Sequence, residues 1–212
     1  MSDNKPVVGV FIIESLRISE EERDLYEGRV ISNILHLNGI KNKYYYIRTA
    51  REFQEILQLF QKSNYKYLHI SCHGADNAIK LTLDTISYLE LGNILTPLIK
   101  DKRIFLSACS SVNHHIAAAV IPKGQCYSII GPTNDIEFRD ATIVWSSFYH
   151  LMFSANSKNM MREDLIKNIQ KIVNTFEQPM TYYSRSASKK IKVKQFVTQA
   201  TKTTITEEQQ LK

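Results

Sequence analysis

The sequence predicts a doubly wound α/β sandwich built on about five parallel strands. Three observations carry that expectation. Five short apolar runs are separated by segments of helical periodicity. The crossovers between successive runs are long enough to hold a helix, which makes the strands parallel. The chain has 212 residues, 43% hydrophobic and 23% charged, an ordinary globular balance with room for one sizeable core.

The elements follow in order. Residues 7–13 are an almost continuous apolar run, as a central strand covered on both faces requires. Ser19 and Glu22 have capping-box spacing and predict a helix with Tyr26, Val30, Ile34 and Leu37 on its buried face, stopped at Asn38 and Gly39. Residues 43–47 form the second strand. Thr49 and Glu52 make another capping box, opening a helix with Phe53, Ile56, Leu57 and Phe60 at helical spacing. The third strand spans residues 67–72. Residues 79–83 alternate and predict a short strand or hairpin beside it.

Ser87 and Glu90 cap a helix whose stripe is Leu91, Ile94, Leu95 and Leu98. The fourth strand, residues 104–108, precedes a small-residue helix over 114–120, and the fifth covers residues 126–130. Asn134 or Asp135 is then expected to cap a long helix carrying Ala141, Trp145, Phe148 and Met152, before a last helix with Leu165, Ile169, Ile172, Val173 and Phe176. Beyond Pro179 the periodicity is lost, apart from an apolar patch at residues 191–197. This divides the chain into a main domain over residues 1–178 and a segment over 179–212 that is either a weakly ordered tail or an edge extension of the sheet.

Charge and cysteine usage narrow the function classes. The net charge is +6, and residues 177–212 hold seven Lys or Arg against three Glu. That places the basic excess in the tail, and nucleic acid is not expected as a partner except through it. No apolar run approaches the roughly 20 residues needed to cross a bilayer, and the polar start is not a secretory signal. Cys72, Cys109 and Cys126 are an odd set without paired spacing, which fits a reducing cytoplasm better than a disulfide framework.

The chemistry concentrates where two strands end. The run 67–72 breaks off at His73 and Gly74, and the run 104–108 at Cys109, Ser110 and Ser111. A helical crossover between them puts both ends at one edge of the sheet, where open α/β sheets hold their sites. A cysteine in such a turn, close to a helix N-terminus, is placed to act as a thiolate nucleophile, and a neighbouring histidine is placed to serve as base and acid. The glycine lets a substrate carbonyl approach the backbone, so that the N–H groups of Gly74 and Cys109 can form an oxyanion hole. Cys72, turned to the opposite face, and Cys126 read as core, as does His69. His114 and His115 diverge on a helix and do not make a metal site. No cofactor is expected: glycine-rich nucleotide motifs are missing, and seven glycines are spread through the chain.

His73-Gly74 after one strand and Ser107-Ala108-Cys109 after the next resemble the dyad pattern of the caspase-like (clan CD) cysteine peptidases, particularly their bacterial CHAT domains. The segment with Asp140, Thr142, Phe148, Tyr149 and Leu151 is similar to the helix that follows the Cys strand in CHAT proteins. The resemblance spans residues 66–176. It implies a caspase-haemoglobinase-like three-layer sandwich, His73 as base or acid, and Cys109 as nucleophile. The caspase signature Gln-Ala-Cys-Arg-Gly is absent, which argues against caspase specificity for Asp.

The function expected is a cysteine endopeptidase cutting a specific protein partner, in which bacterial defence or regulated cell death is the family's usual setting. Family habit also places the gene for that substrate nearby and allows a regulatory protein partner. The alternatives are a catalytically inactive CHAT-like interaction module and a small-molecule-binding α/β sensor. Specificity in clan CD is read partly by the loop after the next strand, here residues 131–140. Its carboxylates predict a basic residue before the scissile bond, with Asp135 and then Asp140 as selectors; Arg139 in the same loop opposes that preference.

Overall fold

A strand of consecutive apolar residues has no face to give to water, so helices must cover it on both sides. In the computed structural model, which describes residues 7–75, 77–121, 125–155, 159–186 and 191–198, β1 (Val7–Glu14) occupies such a position. It is followed by α1 (Ile18–Glu21), α2 (Glu27–Leu37), β2 (Lys41–Tyr46), α3 (Ala50–Lys62) and β3 (Tyr65–Ser71). Three short strands come next, β4 (His73–Ala75), β5 (Ala78–Lys80) and β6 (Thr85–Ser87), forming a small antiparallel sheet. Then follow α4 (Tyr88–Leu95), β7 (Arg103–Ser107), α5 (His114–Val120), β8 (Ser128–Pro132), α6 (Phe138–Ala155) and α7 (Arg162–Phe176). The described chain closes with β9 (Met180–Arg185) and β10 (Ile191–Phe196).

The main sheet has seven strands in the order β10-β9-β8-β7-β3-β1-β2. Five of them, β8 to β2 in that order, are parallel, and β9 and β10 add an antiparallel edge. Residues 180–185 and 191–196 are therefore part of the sheet: Met180, Tyr182 and Phe196 are buried in the core. Lys192 and Lys194, exposed on β10, mask that burial in the sequence.

Alternation along the central strands separates two cores. Phe11, Ile13, Leu68, Ile70 and Leu106 pack against α3, α4 and α5 on one face. Val10, Ile12, Tyr67, Phe105 and Ile130 pack against α2, α6 and α7 on the other. The result is a three-layer sandwich. Among the described residues no helix is long and apolar enough to cross a membrane.

The capping signals at Thr49 and Ser87 act as read: each side chain accepts the N–H three residues on. Two other helix starts differ from expectation. Ser19 and Glu22 do not open the first long helix; α1 intervenes, and α2 begins at Glu27 with Glu27, Gly28, Ile31 and Leu35 inward while Val30 and Leu37 are exposed. Gly28 sets that face, because a Cβ there would lie 3.0 Å from Ile12 and 3.2 Å from Glu14 on β1. Nor do Asn134 and Asp135 cap α6, which starts at Phe138. The preceding residues are committed elsewhere: Asp135 accepts the Ser110 hydroxyl at 2.9 Å, and the Ile136 carbonyl accepts the Cys109 thiol at 3.3 Å.

The α2 start is pinned by a buried acid. Glu14, at the end of β1, accepts the Gly28 N–H at 2.7 Å and the Tyr44 hydroxyl at 2.8 Å. Burial pushes its carboxyl up from the ordinary 4.5 to about 7; those two donors oppose the rise and Glu27 nearby adds to it. A folded-state value above the unfolded one contributes stability that is full below pH 4.5 and lost as pH rises through 7. At about 1.4 kcal/mol per pH unit, the loss is roughly 3 kcal/mol. Glu14→Gln is thus expected to flatten the stability profile between pH 5 and 8 in chemical denaturation, whereas the unaltered chain weakens across that window.

Candidate active site

Register brings the two chemistry-bearing residues together. β3 and β7 pair in parallel up to Ser71 opposite Ser107, and the Cys72 N–H still donates to the Ser107 carbonyl at 3.0 Å. His73 and Cys109 each stand two residues beyond that last rung. The chain then leaves the main sheet, and His73 opens β4 of the small one. Both residues line one cleft of about 560 Å³, with Glu20, Glu27, Ser107 and Phe138 among its walls.

His73 is fixed from two sides. Its Nε2 lies 2.7 Å from Glu20 Oε2, and its ring meets Phe138 edge-on with centroids 5.0 Å apart. A carboxylate only accepts, so Nε2 carries the proton of the neutral ring and Nδ1 keeps its lone pair. Glu20 is held in turn: Oε2 also takes the Arg17 N–H at 2.8 Å, and its neighbour Glu21 is bound by Tyr46 and Arg48. Cys109 is half-buried, with its thiol directed to the Ile136 carbonyl. Among the described residues, no hydrogen bond joins the Cys109 and His73 side chains.

Gly74 is required by a close approach of backbone. A Cβ at that position would sit 2.0 Å from the Cys109 carbonyl oxygen and 2.3 Å from Ser111 Oγ. The space that a side chain would need is thus taken by the Cys109 turn. That turn places Ser110 at φ 50, a left-handed conformation that costs a non-glycine residue of order 1 kcal/mol. The N-terminus of α5 is capped by Asn113, whose Oδ1 accepts the N–H groups of His115 and Ile116.

The loop after β8 contributes to the cleft, but through residues other than those expected. Ile136, Glu137, Phe138 and Arg139 line it. Asp135 is engaged by Ser110, and Asp140 stands exposed on the first turn of α6 beside Arg139, at 3.3 Å. Cys72 is buried in the core with its thiol pushed well up by burial, and burial pushes Cys126 up to about 12. His69 is buried, its Nδ1 3.0 Å from the Tyr149 hydroxyl.

Two carboxylates escaped sequence reasoning. Glu20 had no signal, because a glutamate in an acidic run reads as solvated surface. Glu27 had one: it shares a helix face with Ile31 and Leu35, four and eight residues on. It is buried beneath the cleft, where Oε2 accepts the Ser71 and Ser107 hydroxyls at 3.0 Å each.

The mostly parallel central sheet with helices on both faces matches the caspase-like fold. The chain is similar to the crystal structure of caspase-1 from Spodoptera frugiperda, with a TM-score of 0.53 and 14% identity over 79% of this chain and 77% of that one. It is also similar to pro-Sf-caspase-1, at 0.51 and 12% over 82% and 84%. A secreted C11 cysteine protease from Bacteroides thetaiotaomicron, iotapain, aligns at 0.49 and 12% over 85% and 67%. No protein-family model matches the sequence, and no curated protein sequence does. Likeness at such identity defines the fold; the chemistry is argued from the residues themselves.

Proposed function

We propose that this chain is a cysteine endopeptidase in which Cys109 is the nucleophile and His73 the proton carrier. The observation that carries the reading is the placement of thiol and imidazole two residues past the same rung of paired parallel strands, on one cleft. His73 Nδ1 takes the thiol proton as Sγ attacks the peptide carbonyl. The backbone N–H groups of Gly74 and Cys109 receive the oxyanion. Collapse breaks the C–N bond, the imidazolium protonates the departing amine, and a thioester remains. Water, deprotonated by His73, then cleaves the thioester and restores the thiol.

Glu20 is the positioning residue of this scheme, since it holds Nε2 and leaves Nδ1 for the thiol. Glu20→Ala is expected to lower kcat about 10–100-fold with KM and thermal midpoint little changed. Glu20→Gln, whose amide oxygen still accepts from Nε2–H, restores most of the rate. A loss spread equally over kcat, KM and stability would mark Glu20 as merely structural.

The resemblance to CHAT peptidases supports a single protein substrate encoded close to this chain, in bacterial defence or regulated cell death, with cytoplasmic action and a regulatory protein partner. A second reading, a non-catalytic interaction module, draws on one observation: thiol and imidazole are each bonded elsewhere, to Ile136 and Glu20. A peptidyl thiol-reactive probe separates the two. The peptidase reading expects rapid modification of Cys109 that His73→Ala suppresses; modification at the same rate in both chains would favour the module.

A further inference from the structure

We propose that Glu27 is the specificity-determining residue of this cleft and selects Arg or Lys immediately before the scissile bond; the proposal rests on the peptidase reading above. Four buried polar side-chain atoms lack a hydrogen-bond partner among the described residues: Glu27 Oε1, His69 Nε2, Trp145 Nε1 and Ser146 Oγ. Glu27 is the one that lines the cleft with Cys109 and His73. Its side chain is 1% exposed, so neither bulk water nor salt compensates the open oxygen.

The two oxygens are used unequally. Oε2 accepts two serine hydroxyls, which fill its lone pairs and fix the carboxylate in place. Oε1 makes no hydrogen bond but lies at ion-pair distance, 3.4 Å, from His69 Nε2, which leaves it acceptor capacity for a further donor. A preorganised carboxylate with one oxygen that accepts no hydrogen bond is a receptor for a cation that arrives with its own donors, as guanidinium and ammonium do.

Position matches this role. Ser71 and Ser107, which hold Glu27, are each two residues before His73 and Cys109 on the paired strands. Two residues of strand span about 6.6 Å, so the carboxylate lies one pleat below the reacting atoms. That depth is within reach of an extended Lys or Arg side chain whose carbonyl is presented to Sγ. Arg17, Arg23 and Arg139 also line the cleft and would favour an acidic substrate, but all three are exposed. Solvent and salt screen charges on the rim far more than a charge on the floor, so Glu27 decides the sign. This assigns selection to α2 rather than to Asp135 and Asp140, neither of which lines the cleft.

The test has a catalytic and a binding arm. Fluorogenic peptides varied at the residue before the scissile bond are expected to show kcat/KM for Arg and Lys at least about 100-fold above that for Leu or Asp. Glu27→Gln, close in shape, should erase that margin while Cys109 still reacts with a neutral peptidyl probe. Glu27→Asp, which keeps the charge, should preserve a basic preference and serves if the Gln variant does not fold. In the second arm, agmatine is titrated into Cys109→Ala and into Cys109→Ala with Glu27→Gln; the first should bind and the second at least about 100-fold more weakly. A preference for Asp or Leu, a basic preference that survives Glu27→Gln, or equal agmatine affinity in the two chains overturns the proposal. A chain that cleaves no peptide yet binds agmatine through Glu27 would refute the peptidase reading and leave the cation site standing.

Discussion

Cys109→Ala is expected to bring peptide-bond cleavage down at least about 10⁴-fold, to the background of the assay, because it removes the atom proposed to form the thioester. The fold should scarcely register the change. Cys109 is half-buried and gives up one thiol contact, to the Ile136 carbonyl, which amounts to no more than about 1–2 kcal/mol. His73→Ala removes the proton carrier and should cost about 10²–10⁴-fold. Cys72→Ala is the informative control. That thiol reaches the wall of the same cleft, but burial in the core holds it protonated, so its loss should leave the rate unchanged while lowering stability by about 1 kcal/mol. Hydrolysis of a fluorogenic peptide library, read beside thermal midpoints, checks all three. If Cys72→Ala were as inactive as Cys109→Ala, the nucleophile would be the other thiol.

Truncation after Gln178 is expected to abolish cooperative unfolding. It removes β9 and β10, and with them the fully buried Met180, Tyr182 and Phe196. Each such side chain contributes about 1.5–3 kcal/mol, so their sum is comparable with the roughly 5–15 kcal/mol that holds a whole domain together. The cut also strips the outer side of β8, leaving Ser128 to Pro132 as an exposed edge strand paired only with β7. Far-UV circular dichroism during urea denaturation should show a broad, sloping transition and a tendency to aggregate. A sharp transition with the midpoint of the full chain would mean that the five parallel strands suffice alone.

What the sequence made legible follows from how many residues carry each signal. The five parallel strands are written in short stretches dominated by apolar residues, and Thr49 and Ser87 announce their helices by side-chain chemistry alone. The juxtaposition of His73 and Cys109 was legible too, because each ends a strand and parallel pairing brings strand ends to one edge. Less visible was anything set by tertiary contact. Ser19 satisfies a capping pattern, yet Gly28 against β1 decides where the long helix starts and which face it buries. Asp135 satisfies another, but the Ser110 hydroxyl claims its carboxylate. Two of the six residues of β10 are lysines, as suits an edge strand, and one buried residue, Phe196, ties its end to the core. Glu20 and Glu27 were hidden for a common reason: each acts through a partner about 50 or more residues away, or through a pair of serines on different strands, and no local spacing encodes such a meeting.

In the proposed peptidase, Cys109 carries the acyl group during turnover and His73 moves the proton. Rapid-quench mass spectrometry of the intact chain with a slowly deacylating peptide ester tests it directly. The account predicts a transient mass increase equal to the acyl portion, located by digestion on the peptide containing Cys109, slowed by His73→Ala and absent from Cys109→Ala. Cleavage that proceeds with no acyl mass on the chain, or with the mass on any residue other than Cys109, would contradict it.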